Sequence, residues 1–184
     1  MEVHYDTGAV QVIGNIVGPG GVHGFIDVKG IGSASTPALI QRNVVDGGQS
    51  GNLAGSTNTP AFYTEDTWSP STTITWQENV AYDTNIGIQL CPGGTPTGFT
   101  TGGSWKVYNN TFYSQANNSS GTADGYFGEF DCAGANAGTY NKFALDVRNN
   151  IFDGGASSTT GTLAIYTTAT YSSITEDYND IGGA

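Results

Sequence analysis

The sequence predicts an all-β solenoid, a chain of short strands wound into about five to six coils with three strands to a coil. Three observations carry that expectation. One bend motif recurs six times, apolar residues flank it with the period of a strand, and the composition withholds what long helices need.

The six motifs align without gaps on an asparagine: Val10-Gln-Val-Ile-Gly-Asn15-Ile-Val17, Ala38-Leu-Ile-Gln-Arg-Asn43-Val-Val45 and Ile74-Thr-Trp-Gln-Glu-Asn79-Val-Ala81 lead. Trp105-Lys-Val-Tyr-Asn-Asn110-Thr-Phe112, Leu145-Asp-Val-Arg-Asn-Asn150-Ile-Phe152 and Ile174-Thr-Glu-Asp-Tyr-Asn179-Asp-Ile181 follow. Each has an apolar residue five before the Asn and another two after it. Five of the six have a third apolar residue three before, and Glu176 is the exception. Offsets five and three differ by two, the period of a strand with one buried face. The register breaks at the Asn, so a sharp bend joins two strands there. Asn suits a bend because it tolerates left-handed backbone and hydrogen-bonds locally. Stacked in successive coils, the six amides are expected to form a hydrogen-bonded Asn ladder.

The motif spacing varies while the motif does not, which places insertions in loops. Between motifs runs a further apolar-alternating segment: Gly24–Lys29, Pro60–Glu65, Ile86–Leu90, Gly125–Phe130 and Leu163–Tyr166. These supply the third strand of each coil. A β-sandwich also spaces its strands closely, but it does not repeat one bend six times. Phe112, Phe152, Trp76 and Trp105 sit at inward offsets and read as core. With parallel strands about 4.8 Å apart, the stack is a rod of roughly 25–30 Å.

Composition agrees. Glycine supplies 28 of 184 residues, about twice ordinary usage, while only 11% of residues are charged. Five Lys and Arg against 16 Asp and Glu give a net charge of −11, which argues against nucleic-acid backbones and anionic membranes. No apolar run is long enough to span a bilayer. Met1–Asp6 lacks the basic and apolar regions of a signal peptide, yet abundant Gly, Thr, Ser and Asn suit an extracellular or cell-surface protein. Residues 1–184 read as one β-helical domain. The chain stops at Ile181-Gly-Gly-Ala184 just after a motif, so a part of a longer solenoid is expected, or a unit whose ends another chain or copy covers.

Val107-Tyr-Asn-Asn-Thr-Phe112, Val147-Arg-Asn-Asn-Ile-Phe152 and the closing Asp177-Tyr-Asn179 resemble right-handed parallel β-helix proteins of the pectate-lyase-like superfamily, over about Val10 to Ile181. The resemblance implies a secreted or surface protein that acts on, or holds, polysaccharide. It places carbohydrate sites on the outer face of one sheet, here taken as the sheet after each loop. Outward positions there include Asp27, Lys29, Glu65 or Asp66, Gln89, Glu129 and Asp131, an acidic column if the coils are in register. Paired carboxylates in it serve as general acid and base in glycoside hydrolysis, or hold Ca²⁺, with Asp66 as the metal candidate. Solvated acids on an outer face are the plainer reading. A β-elimination lyase needs a base, and Lys29 is the one cation on that strand; Lys106 and Arg148 fall beside the Asn bends, on another face. The resemblance lacks the paired-Asp and Gly-His-Gly segments of polygalacturonases.

His23 is a candidate base or ligand, against a structural role in its Gly-rich loop. Trp68 and Tyr126 are the first candidates for sugar-stacking platforms. Cys91 and Cys132 end similar runs in consecutive coils; aligning Gly87 with Gly128 stacks them within disulfide range, while a slip of one residue turns one inward. The functional expectation is a lyase- or glycosidase-like protein of extracellular polysaccharide. The alternatives are a non-catalytic glycan-binding, adhesin or tail-spike module, and a self-assembling fibre subunit.

Overall fold

In the computed structural model the chain is a parallel β-helix. The structure describes residues 1–4, 8–19, 25–29, 31, 35–47, 60–64, 73–84, 86–90, 104–113, 126–129, 144–153, 165–166 and 173–181.

Each coil contributes three strands. Coil 1 holds β1 (Glu2–His4), β2 (Gln11–Ile13) and β3 (Ile16–Val17), and coil 2 holds β4 (Ile26–Lys29), β5 (Ala38–Gln41) and β6 (Val44–Asp46). Coil 3 holds β7 (Pro60–Thr64), β8 (Thr73–Gln77) and β9 (Val80–Tyr82). Coil 4 holds β10 (Ile86–Leu90), β11 (Ser104–Tyr108) and β12 (Thr111–Tyr113). Coil 5 holds β13 (Tyr126–Glu129), β14 (Ala144–Arg148) and β15 (Ile151–Asp153), and coil 6 holds β16 (Ile165–Tyr166), β17 (Ser173–Asp177) and β18 (Asp180–Ile181).

Like strands stack in parallel into three six-stranded sheets. Sheet A runs β1-β4-β7-β10-β13-β16, sheet B β2-β5-β8-β11-β14-β17 and sheet C β3-β6-β9-β12-β15-β18. The segments recognised as third strands form sheet A, and the Asn motifs straddle the corner from B to C. That corner is two residues long in every coil, whereas the A–B and C–A connections differ in length.

The interior is a set of columns, one residue per coil. Ala38, Ile74, Trp105 and Leu145 make one column of sheet B, and Val12, Ile40, Trp76, Val107 and Val147 make the other. All nine are buried. Val45, Ala81, Phe112 and Phe152 line sheet C. The Phe112 and Phe152 rings stack at 5.4 Å, Phe62 of sheet A meets Phe112 edge-on at 6.3 Å, and the two indoles cross at 81°. Aromatic pairs in these offset and edge-on geometries add about 0.5–1.5 kcal/mol each beyond area burial. Glu176 takes the Val147 column in coil 6 and is exposed.

The ladder is complete from Asn15 to Asn179. Each Nδ2 donates to the Oδ1 of the next coil's Asn at 2.9–3.0 Å, through Asn15, Asn43, Asn79, Asn110, Asn150 and Asn179. Each backbone N–H donates to that same oxygen at 3.0 Å. The second Nδ2 hydrogen goes back one coil: Asn43 to Val12 O, Asn79 to Ile40 O, Asn110 to Trp76 O, Asn150 to Val107 O and Asn179 to Val147 O. The four central asparagines are buried and their amides satisfied.

One expectation is corrected here. The left-handed residue of each bend is not the ladder Asn but its predecessor: Gly14, Arg42, Glu78, Asn109, Asn149 and Tyr178, with φ between 53° and 70°. The ladder Asn keeps ordinary backbone and is required for its amide.

Candidate functional site

Parallel register turns single residues into rows. Along the outer parity of sheet A the row is Glu2, Asp27, Tyr63, Gln89, Glu129 and Tyr166. Of the positions expected to form an acidic column, Asp27, Gln89 and Glu129 fall in this one row, where Tyr63 and Gln89 separate Asp27 from Glu129. Tyr63 and Gln89 are half-buried.

Asp27 differs from the expectation in a second way. Its parity is that of the outer face, but the residue is only 3% exposed, and Phe25 and Ala61 of the same parity are buried too. Strand alternation fixes the side of the sheet; burial depends on what lies over that side, which alternation does not encode. Asp27 is thus a covered carboxylate, not a solvated one. The Met1 ammonium lies at this edge and donates to Phe25 O at 2.7 Å.

Lys29 ends β4 opposite His4, and Glu129 lies opposite Gln89. Tyr126 pairs with Ile86, which pairs with Pro60, and both of these are buried. His23, Glu65, Asp66, Trp68, Asp131, Cys91 and Cys132 lie outside the described residues. Gly128, which the sequence comparison set against Gly87, pairs with Ile88.

The best-defined polar constellation is on the outer face of sheet B. Lys106 stands opposite Asp146, and Tyr108 opposite Arg148. Asp146 clamps two of its neighbours: Tyr108 Oη donates to Oδ2 at 2.7 Å and Arg148 Nε donates to Oδ1 at 2.6 Å. Burial, first, and then the Asp146 hydrogen bond and charge push the Tyr108 phenol up to about 12. Lys106 makes no hydrogen bond or ion pair among the described residues. One coil lower, Gln41 Nε2 donates to Glu78 Oε2 at 2.8 Å, and Arg42 lies 3.8 Å from the same oxygen. Sequence reasoning passed over this set, though the repeat contained it. Lys106 and Asp146 both stand four before a ladder Asn, and Tyr108 and Arg148 both stand two before.

On sheet C the Tyr82 and Tyr113 rings stack at 5.2 Å and 18°. The Tyr82 phenol is raised by burial and by its hydrogen bond to Asp46. Ile16, 84% exposed, and Ile151 lie on the same outer face. Among the described residues, no three His, Cys, Asp or Glu side chains converge so as to hold a metal ion, and no helix is long and apolar enough to cross a membrane.

Compared with protein-family models, curated proteins and solved structures, the chain matches none.

Proposed function

We propose that this β-helix is a secreted or surface protein that engages an extended extracellular polysaccharide along the outer face of sheet A. The observation that carries the reading is the pair Tyr63 and Gln89, half-buried neighbours in one register row of adjacent coils, with the covered Asp27 beside them and the exposed Glu2 beyond. An extended glycan offers like groups at regular intervals along a line, and its sugar spacing is close to the roughly 4.8 Å between parallel strands. Amide, carboxyl and phenol side chains match sugar hydroxyls, and an aromatic ring accepts the apolar C–H face of a pyranose. The compositional bias to Gly, Thr, Ser and Asn supports the extracellular setting.

A panel of pectate, alginate and neutral plant and algal glycans, with and without Ca²⁺, tests the reading by affinity electrophoresis. The expected result is retardation by at least one polymer, weakened by Tyr63→Ala and by Gln89→Ala. Silence across the panel removes the proposal. Product analysis in the same tubes separates the readings: new unsaturated or reducing ends mean a lyase or a hydrolase, and intact polymer means a binding module.

A further inference from the structure

We propose that the outer face of sheet B carries a second site, for an anionic substituent of a glycan, built from Lys106, Tyr108 and Arg148 around Asp146. The inference rests on the glycan reading above but uses a different sheet.

In a chain with only five Lys and Arg, two of them, Lys106 and Arg148, share one face of adjacent strands. Asp146 is the organising group. Both of its oxygens are occupied, Oδ1 by Arg148 Nε and Oδ2 by the Tyr108 hydroxyl. That arrangement fixes the guanidinium plane and the phenol ring before any ligand arrives, which lowers the ordering cost of binding. It also leaves Lys106, directly opposite Asp146, without an ion pair among the described residues. Arg148 spends Nε on Asp146 and leaves its terminal nitrogens for a ligand, and a guanidinium fork suits the paired oxygens of a carboxylate or sulfate. The neighbouring Tyr108 ring supplies an apolar face for the sugar that bears the anion. Two charges oppose this, Asp146 itself and Asp177. Asp177 stands opposite Arg148 on coil 6, and no hydrogen bond or ion pair joins the two. An incoming anion is repelled by Asp146 and Asp177 and attracted by Lys106 and Arg148, so both signs are open to test.

The full chain is titrated calorimetrically at low salt with polygalacturonate, with a sulfated galactan and with an unsubstituted galactan. The carboxylate and sulfate arms identify which anion is held. Lys106→Met, at a side chain that makes no hydrogen bond or ion pair among the described residues, is expected to weaken binding of the anionic polymer about tenfold, the loss of one charge-assisted contact. Neutral galactan should be unaffected. Asp177→Asn is expected to tighten the anionic polymer, and Arg148→Lys to weaken it although charge is kept. Thermal melting of Lys106→Met at the wild-type temperature confirms an intact fold. The site is refuted if anionic and neutral polymers bind alike, or if Lys106→Met changes nothing. Should Tyr63→Ala still abolish glycan binding in that case, the sheet A reading stands alone; silence toward every polymer removes both.

Discussion

At the scale of single residues the bend shows two different demands met by two adjacent positions. The position before each ladder Asn needs a positive φ and takes Gly, Arg, Glu, Asn, Asn and Tyr in turn. The ladder position needs an amide and takes nothing else. Left-handed backbone costs an ordinary L-residue about 1–2 kcal/mol. Tyr178 is 80% exposed, so Tyr178→Gly is expected to raise stability by about 0.5–1 kcal/mol once the greater freedom of an unfolded glycine is subtracted. Denaturant titration checks this. Asn110→Ala takes away the acceptor of the Asn79 N–H and Nδ2, and the donor to Trp76 O. Buried groups left unpaired cost about 1–3 kcal/mol each, so the loss should reach roughly 3 kcal/mol or more. Asn110→Asp should be no milder, since one carboxylate oxygen keeps the Asn79 donors while the other, in place of Nδ2, buries charge against Trp76 O and Asn150 Oδ1. Asn15→Ala, at a half-buried rung that gives its oxygen to no described donor, should cost only about 1 kcal/mol.

Tyr108 adds a pH dependence at the same scale. Its folded phenol titrates near 12 against an ordinary 10.0. The protonated form is the one the fold favours, so its contribution is full below about pH 10 and is lost as pH rises toward 12. Thermal melts across that window should fall more steeply for the wild type than for Tyr108→Phe, which has no proton to lose.

At the scale of elements, close approach decides as much as pattern does. Gly47 follows β6 and donates to Tyr82 O at 2.9 Å on the next coil. A Cβ there would lie 1.9 Å from Asp83 O and 2.5 Å from its carbonyl carbon, both backbone atoms. Gly47→Ala must therefore push two coils apart, and circular dichroism melts should show it as one of the more damaging single-methyl additions, about 1–3 kcal/mol.

The sequence made the strands and the core legible because inward residues recur at fixed offsets from the Asn. It misassigned the left-handed position for the converse reason: the constant residue drew the explanation, while the strained one hid behind changing identities. The exposure expected for Asp27 and the alignment expected for β13 failed for two further reasons. Alternation gives a side of the sheet but not its cover, and β13 has no Asn of its own to fix register. A one-residue shift there pairs Gly128 with Ile88 rather than with Gly87. The Lys106–Tyr108–Asp146–Arg148 set was legible in principle, since all four stand at fixed offsets from Asn110 and Asn150, but it appears only when motifs are compared column by column.

At the scale of the whole molecule, every described sheet contact joins residues roughly one coil apart in sequence, and no two of the described strands pair as a hairpin. Topologies of that kind fold slowly, because loop closure precedes the contacts that reward it. Stability also passes between neighbours, as in other stacked repeats. Hydrogen exchange should therefore grade along the axis, with the Asn79 and Asn110 amide protons exchanging only through global opening and that of Asn15 exchanging faster.

The ladder also has a direction. Each of its five amide–amide bonds runs from an Nδ2 to the Oδ1 of the next higher-numbered coil. Six amide dipoles thus add head to tail along the axis, and each polarises the next. Reversing a single amide would set oxygen against oxygen on one side and N–H against N–H on the other, so the column has two self-consistent orientations and no stable mixture of them. The backbone N–H of each preceding Asn, aimed at the same oxygen, selects one of the two. The asparagines act together as a single orientational order parameter for the coil stack.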